Sequence, residues 1–166
     1  MQVYLSLGSN IAPRLEHLQA AIAQIAQYIG EVKHISRVYQ TAPWHCTPMH
    51  EDYFNIALVV ETDLLPLSIM ENCLSIEQRL GRDRNQVDNN IGYLPRTIDI
   101  DILLIGNMII EEETKLLVPH PRMHLRRFVL TPLAEIASEV IHPILNKSIA
   151  QLLAVCEDTL AVSPLP

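Results

Sequence analysis

The stretch PRTIDIDILLI at residues 95–105 alternates isoleucine with aspartate and then becomes fully apolar. Side chains two residues apart point to the same face of a β-strand, so the isoleucines at the start share one face and Asp99 and Asp101 share the other. The isoleucine face is expected to pack against helices. The stretch therefore predicts a sheet that is covered on this face and carries two carboxylates, about 7 Å apart along the strand, on the other.

The segments around this strand predict the order strand, helix, strand, strand, helix, strand. Apolar residues at helical spacing indicate two helices between the strands, at residues 15–29 and 66–80. Runs rich in β-branched and aromatic residues indicate the strands, which we expect at residues 2–7, 32–40, 53–62 and 98–105. This order is the split βαβ pattern of a ferredoxin-like α+β sandwich with a mainly antiparallel sheet.

Further elements are expected outside this pattern. Ser9 and Asn10 are residue types that cap helices, and they precede the first helix. The Gly106-Asn107 pair indicates a turn, after which residues 108–110 would return as the second strand of an extra hairpin. C-terminal helices are expected at residues 129–137 and 149–155, with a possible short helix before them.

Charge is unevenly distributed along the 166 residues. The formal net charge is -7, yet six of the nine arginines lie between positions 82 and 127. The overall charge argues against a nucleic acid or an anionic membrane as a partner. The local arginines argue for a compact anionic ligand, because guanidinium groups bind phosphate oxygens in pairs.

Length and composition are typical of one folded domain. Hydrophobic residues make up 49% of the chain, which excludes a disordered protein. The apolar runs are too short to cross a bilayer, and the N-terminus lacks the features of a secretion signal. Three cysteines without a C-x-x-C motif predict no disulfide framework. We therefore expect a single domain over residues 1–166, cytoplasmic and monomeric.

Asp99 and Asp101 are the first candidates for chemistry. Two like charges on one strand face repel each other, and a divalent cation between them would relieve that repulsion. Mg²⁺ suits the pair because it is often shared between protein carboxylates and substrate phosphates, and two ions could bridge a transferring phosphoryl group. On the D-x-D motif alone, the solvent-exposed face of an amphipathic strand explains the pair equally well.

Arginines on both sides of the acidic strand favour the polyphosphate interpretation. They are Arg82, Arg84 and Arg96 before the strand and Arg122, Arg126 and Arg127 after it. Weak surface salt bridges are the competing explanation. The five glycines form neither a P-loop nor a dinucleotide-binding motif, so side chains and metal would have to hold a nucleotide.

Two smaller features also suggest a site. Tyr53 and Asn55 share one strand face, where a ring beside an amide can stack on a flat heterocycle and read its edge, although a position at the edge of the core is the simpler explanation for Tyr53. Glu77 lies beside the apolar stripe of the second helix, and we expect it to pair with Arg82 or Arg84 as part of the scaffold.

Motifs in consistent order over residues 1–140 together resemble the 6-hydroxymethyl-7,8-dihydropterin pyrophosphokinase family. They are LGSN at 7–10, YQTAP at 39–43, YFN at 53–55, Glu77 with GRDR at 81–84, PRTIDIDI at 95–102, VPH at 118–120 and RRF at 126–128. Each motif is weak alone, but PRTIDIDI combined with the others is a specific signature.

The resemblance implies an enzyme of folate biosynthesis that transfers diphosphate from ATP to the hydroxymethyl group of a reduced pterin and releases AMP. It implies two Mg²⁺ ions bound by Asp99 and Asp101. The implied catalytic residues are Arg82, Arg96, Asp99 and Asp101. The implied contacts of ATP are Arg84, Arg96, Ile102, Lys115, His120 and Arg126. The implied contacts of the pterin are Gly8, Thr41, Ala42, Pro43, Trp44, Tyr53, Asn55 and Phe128.

The loop before the acidic strand departs from the family pattern. The family usually has Arg-Trp-Gly-Pro-Arg there, whereas residues 89–96 read NNIGYLPR, with no cation between Asn85 and Pro95. We therefore expect an active enzyme with a weaker lid. Two alternatives stay open, which are another Mg-dependent nucleotide transferase of D-x-D type and a non-catalytic ferredoxin-like binding module.

Overall fold

A six-stranded sheet forms the centre of the computed structural model, which describes residues 1–42, 52–82, 96–112 and 116–166. Its strands are β1 (Gln2–Ser9), β2 (Glu31–Ile35), β3 (Tyr39–Thr41), β4 (Tyr53–Glu61), β5 (Asp99–Ile105) and β10 (Val162–Pro164). The order is β10-β3-β4-β1-β5. Strand β2 pairs with the same edge of β4 as β3 does, but with the later residues of β4. All pairings in the described sheet are antiparallel, which confirms the ferredoxin-like α+β prediction.

Helices cover both faces of the sheet. They are α1 (Arg14–Tyr28), α2 (Pro66–Arg79), α3 (Arg127–Ala137) and α4 (Ile149–Ala154). Two short hairpins complete the described elements, formed by β6 (Ile110–Glu112) with β7 (Leu116–Val118) and by β8 (Ile141–His142) with β9 (Lys147–Ser148). Among the described residues, no helix has the length and apolar character needed to cross a bilayer.

The main core lies between the sheet and helices α1 and α2. Alternate residues of β1, such as Leu5 and Leu7, are fully buried there with Ile25 of α1 and Ile76 of α2. A fully buried side chain of this size contributes roughly 1.5–3 kcal/mol to the free energy of unfolding. Ile100 and Ile102 of β5 belong to the same cluster, as the period-two pattern predicts.

The second core lies on the opposite sheet face and is smaller. Tyr4, Ala57 and Leu103 contact residues of α3 and α4 there. Farther along the same strands, the residues on this face change from apolar to polar, for example from Tyr4 to Ser6 on β1. This polar end of the second face is where the aspartates of β5 lie.

Three expectations for local structure are wrong, namely the single strand at 32–40, the returning strand at 108–110 and the cap of the first helix. The single strand predicted at 32–40 is divided into β2 and β3, because Ser36 hydrogen bonds with Ala57 through both its backbone and its hydroxyl group and displaces the register. Residues 108–110 do not pair back onto β5, since β6 begins at Ile110 and pairs with β7. The short helix before α3 is confirmed as a 3₁₀ turn at Met123–Leu125.

The third error concerns the start of α1. Pro13 occupies the cap position, and neither Ser9 nor Asn10 caps the helix. Asn10 is buried and instead accepts a hydrogen bond through Oδ1 from the backbone amide of Arg96 at 2.7 Å. The backbone amide of Asn10 donates to the carbonyl of Arg96 at 3.2 Å. Asn10 therefore fixes the backbone directly before β5.

Candidate active site

A pocket opens on the polar end of the second sheet face. The described residues that line it are Ser6, Gly8, Thr41, Ala42, Tyr53, Asn55, Arg96, Asp99, Asp101, Arg126 and Phe128. All but Ser6 are residues that the sequence singled out. Ser6 was missed, although the period of two places it on the same face of β1 as Gly8.

Strand β1 continues two residues beyond its predicted end and forms the floor of the pocket. Gly8 pairs with Asn55 of β4 on one side and with Asp99 of β5 on the other. A Cβ atom at Gly8 would lie 3.0 Å from Oδ1 of Asn55 and 3.6 Å from Cδ1 of Tyr53. The missing side chain at Gly8 therefore lets the amide and the ring approach the floor of the pocket.

Asn55 is held in a fixed orientation. It is 3% exposed, and its Nδ2 donates a hydrogen bond of 2.8 Å to Oγ1 of Thr41 on β3. Because Thr41 is also buried, the contact joins two neighbouring strands at the wall of the pocket. A buried amide oriented in this way can present donor and acceptor atoms to the edge of a heterocycle.

Two arginines hold Asp99. Nη1 of Arg82 binds Oδ1 of Asp99, and Nη1 of Arg96 binds Oδ2 at 2.6 Å. Burial opposes ionisation of this carboxyl group, but the charges of Arg96 and Arg82 outweigh it and hold the pKa of Asp99 below its usual value. Asp99 is therefore a carboxylate at neutral pH.

Asp101 has weaker cationic contacts. Its Oδ2 lies 3.8 Å from Nη1 of Arg126 and 4.0 Å from Nε2 of His120. Burial and the neighbouring charge of Asp99 raise the pKa of Asp101 to about 6, against the lowering effect of Arg126. The two aspartates thus share one strand face but differ in environment, and a further cation would favour the charged form of Asp101.

The carboxylate oxygens of Asp99 and Asp101 fit Mg²⁺. Hard oxygen donors are the ligands that this ion prefers, and it keeps several coordination positions for water and substrate phosphates. In the described part of the chain, no group of three or more His, Cys, Asp or Glu side chains forms a complete metal site. Two carboxylates with open positions therefore suit a metal shared with a substrate better than a structural ion.

His120 is prepared to donate a hydrogen bond at the same edge. Burial and the nearby charge of Arg126 lower the pKa of His120 to about 4, so the ring is neutral at neutral pH. Nδ1 accepts the backbone amide of Arg122 at 3.1 Å, and the ring proton therefore lies on Nε2. That atom faces Asp101 and can donate to an anionic ligand.

A second cavity lies along the outer edge of β5. Its apolar lining includes Ile102, Met70, Cys73 and Leu74, and it reaches Asp101 and His120. Burial and the charge of Glu77 raise the pKa of the Cys73 thiol to about 12, so this cysteine acts as a small apolar residue. The cavity therefore joins an apolar surface to the charged end of the first pocket.

Not every predicted site residue can be located. Pro43, Trp44, Arg84 and Lys115 lie outside the described residues. Arg127 follows Arg126 in the chain, but its amide, Nε and Nη2 bind Asp158 and the carbonyl of Cys156. Its place among cations around the acidic strand was therefore a wrong expectation.

Glu77 connects the helix layer to the site. It is 1% exposed, and Oε1 accepts hydrogen bonds from Nη1 of Arg82 and from the amide of Ile100 at 2.7 Å. The predicted pairing with Arg82 is confirmed. Since the same Nη1 also binds Asp99, Glu77 orients the arginine that holds the first aspartate.

Replacing Glu77 with glutamine is expected to lower the free energy of unfolding by about 2–3 kcal/mol, because a buried charged hydrogen bond to Arg82 is lost. Urea unfolding measures this loss. Glu71→Gln, at an exposed position of the same helix, is the control and is expected to change it by no more than about 0.5 kcal/mol. Equal stability of both variants would contradict the assigned role of Glu77.

Comparison with known proteins identifies the family. The model of the 7,8-dihydro-6-hydroxymethylpterin-pyrophosphokinase (HPPK) family matches residues 4–138. Relatives named 2-amino-4-hydroxy-6-hydroxymethyldihydropteridine pyrophosphokinase include one from Bacillus subtilis, 41% identical over 82% of this chain and 78% of its own length. Another, from Aquifex aeolicus, is 37% identical over 90% of this chain and 88% of its own length.

Solved structures agree on the fold. Wild-type HPPK-DHPS of Plasmodium falciparum covers 92% of this chain with a TM-score of 0.72 at 16% identity. This chain corresponds to 44% of that longer protein. The family model spans residues 4–138, a range that contains Asp99 and Asp101, and the relatives are 37% and 41% identical over most of the chain. This chain therefore belongs to the 7,8-dihydro-6-hydroxymethylpterin-pyrophosphokinase family.

Proposed function

We propose that this chain transfers the diphosphate of ATP to the hydroxymethyl group of 6-hydroxymethyl-7,8-dihydropterin and releases AMP, as a step of folate biosynthesis. The observation that carries the proposal is one pocket with two chemically distinct ends. Asp99 and Asp101 line it from β5, where Arg96 binds Asp99, and Asn55 and Tyr53 line it from β4 on the other side of β1. This arrangement suits a polyphosphate next to a flat polar heterocycle.

The pterin is proposed to bind at the end that contains Asn55. Tyr53 and Phe128 would hold the two faces of the ring, since aromatic side chains stack on flat heterocycles. Asn55 would hydrogen bond with the amide-like edge of the ring, with Gly8 leaving space below. The fixed contact between Asn55 and Thr41 supports this role, because an amide that is already oriented binds at a lower entropic cost.

ATP is proposed to bind across the edge of β5. The apolar cavity beside Ile102 would take the base, and Arg96, Arg126 and the Nε2–H group of His120 would contact the phosphates. The relatives are named pyrophosphokinases, which supports a nucleoside triphosphate as the donor, and the lowered pKa of His120 supports a neutral hydrogen-bond donor there. Arginine suits this task because its fork matches phosphate oxygens.

Asp99 and Asp101 are proposed to hold Mg²⁺, with two ions expected. When bound, the metal neutralises charge on the phosphates and orients them for in-line attack. The residues that line the pocket position the hydroxyl of the pterin near the β-phosphorus of ATP. The bond between this phosphorus and the oxygen that bridges to the α-phosphorus breaks, and AMP leaves with that oxygen. Arg96 and Arg126 stabilise the negative charge that develops on the transferred group.

Asn55→Ala is expected to weaken binding of the pterin about tenfold or more, because one well-placed polar contact is worth about 1.4 kcal/mol or more in a buried site. Fluorescence titration with the pterin measures the effect. Asn72→Ala is the control, because among the described residues the side-chain amide of Asn72 hydrogen bonds with a carbonyl of its own helix, that of Ser68. A parallel loss of affinity for ATP in Asn55→Ala would contradict a pterin-specific role.

Calorimetric titration with α,β-methylene ATP tests the proposal as a whole. We expect tight binding of the nucleotide with Mg²⁺ and much weaker binding with EDTA, and we also expect the pterin to bind. Affinity for nucleotides without any affinity for pterins would favour a different D-x-D transferase. Indifference to Mg²⁺ and to both ligands would favour a binding module. Family membership argues against both alternatives.

We further propose that residues 1–166 form one monomeric domain that works in the cytoplasm with small-molecule substrates and no nucleic acid. The first strand, β1, and the last, β10, belong to the same sheet, which supports a single domain. Three cysteines without a C-x-x-C motif are a composition typical of proteins in a reducing compartment. Light scattering of the purified protein measures the oligomeric state.

A further inference from the structure

The C-terminal segment, residues 156–165, follows the region that the family model matches and contacts the candidate site from outside. Its strand β10 adds to the edge of the sheet beside β3, with Val162 opposite Thr41. The amide of Leu165 continues this pairing by donating to the carbonyl of Val38 at 2.9 Å. The strand therefore supports β3 from the side that faces away from β4.

The same segment binds the first residue of α3. Asp158 accepts the backbone amide of Arg127 through Oδ2 at 2.9 Å, and its carbonyl accepts Nε of Arg127 at 2.7 Å. Nη2 of Arg127 also donates to the carbonyl of Cys156 at 3.1 Å. Oδ1 of Asp158 accepts the amide of Leu160 at 3.0 Å, which fixes the turn that leads towards β10.

These two attachments end at, or next to, residues that line the proposed pterin pocket from two different elements, β3 and α3. Thr41, opposite Val162, holds the amide of Asn55. Arg127 is covalently adjacent to Phe128, the aromatic residue on the other wall. A three-residue strand and the first turn of a helix are weakly restrained by their own hydrogen bonds, so an external support affects their positions.

We infer that the C-terminal segment positions the two walls of the pterin pocket and that Asp158 is a positioning residue for pterin binding. The inference rests on the proposed pterin site. The segment forms no recorded hydrogen bond with Asp99 or Asp101 among the described residues. Arg126, which precedes Arg127 and lies 3.8 Å from Asp101, is also held by hydrogen bonds of its own backbone with Met123, Val129 and Leu130, so the phosphate end depends less on the segment. Loss of the segment is therefore expected to lower the affinity for the pterin more than the affinity for the nucleotide.

Removal of the pairing is not expected to unfold the protein. The hydroxyl of Tyr39 donates to Oε2 of Glu135 at 2.8 Å, and Nε of Arg37 lies 3.2 Å from Oε1 of the same residue. These contacts join β3 to α3 independently of β10. A chain that ends at residue 161 therefore retains a link between the two elements.

The test compares three variants in the full enzyme, namely Asp158→Ala, a chain that ends at residue 161, and Glu157→Ala. Glu157 is exposed and carries the same charge as its neighbour, so its replacement is the matched control. Dissociation constants for the pterin and for α,β-methylene ATP with Mg²⁺ are measured for each, together with circular dichroism and the melting temperature. Asp158→Asn, which retains one acceptor oxygen, is included to look for partial rescue.

The expected result is a pterin affinity lowered about tenfold in Asp158→Ala and in the shortened chain, which corresponds to about 1.4 kcal/mol. Nucleotide affinity should fall at least threefold less than pterin affinity, and Glu157→Ala should match the parent protein. An equal loss of affinity for both ligands, or no loss of pterin affinity in a folded variant, overturns the inference. If the shortened chain does not fold, Asp158→Ala decides alone. If the parent protein itself binds no pterin, the proposed function fails instead.

Discussion

Asp101→Ala is expected to lower the turnover of diphosphate transfer by about 10³-fold, with the fold intact. Among the described residues, the arginine nearest to Asp101 is Arg126, whose Nη1 lies 3.8 Å from Oδ2 of Asp101. Its pKa is raised to about 6 by burial and by Asp99, so its charged form is unfavourable unless a cation joins it. Removing the side chain therefore removes the proposed metal ligand and, among the described residues, only the long contacts with Arg126 and His120.

Nucleotide binding with Mg²⁺ and with EDTA separates metal binding from other effects of this change. The parent protein is expected to bind α,β-methylene ATP more tightly with Mg²⁺, and Asp101→Ala is expected to lose that difference. Asp63→Ala, at an exposed position before α2, serves as the control for loss of one carboxylate. Unchanged turnover in Asp101→Ala would refute the metal assignment.

Arg96→Ala is expected to lower turnover by about 10²–10³-fold, since one preorganised donor to a developing negative charge has roughly this effect. Two functions would be lost together. Nη1 of Arg96 holds Oδ2 of Asp99 at 2.6 Å, and the proposed phosphate contact belongs to the same side chain. Asn10 fixes the backbone of Arg96, so its guanidinium group starts from a defined position.

Arg96→Lys is expected to recover only part of this activity, because an ammonium group cannot form the paired contacts of a guanidinium group. Steady-state kinetics with ATP and the pterin measure both variants. Arg79→Ala removes an exposed arginine whose guanidinium group stacks over the ring of Tyr28, and it is the matched control. An effect of Arg96→Ala as small as that of Arg79→Ala would exclude Arg96 from catalysis.

The sheet could be predicted because its strands carry the signal in their own residues. In β5 the isoleucines and aspartates alternate, and the structure places them on opposite faces as the period of two requires. The pairing partner of a strand could not be predicted in this way, because the local pattern of residues does not indicate which strand lies beside it. Ile110 pairs with Val118 rather than with β5, and nothing in the turn at Gly106 indicates this choice.

The candidate site was predictable where chemistry and spacing coincide and not where a residue acts on the backbone of another. Asp99, Asp101 and Asn55 follow from residue type and position on a strand face. The use of Asn10 to fix Arg96 does not, because Asn10 has the properties of a helix cap and its true partner lies 86 residues away. Strand β10 was missed because three residues ending in proline give no alternation to recognise.

Identification of the products formed from ATP and 6-hydroxymethyl-7,8-dihydropterin with Mg²⁺ tests the central claim most directly. Transfer of the diphosphate predicts AMP and the pterin diphosphate in equal amounts, with no ADP, as separated by chromatography and assigned by ³¹P resonance. Formation of ADP with a pterin monophosphate, or the absence of AMP in the presence of both substrates, would contradict it.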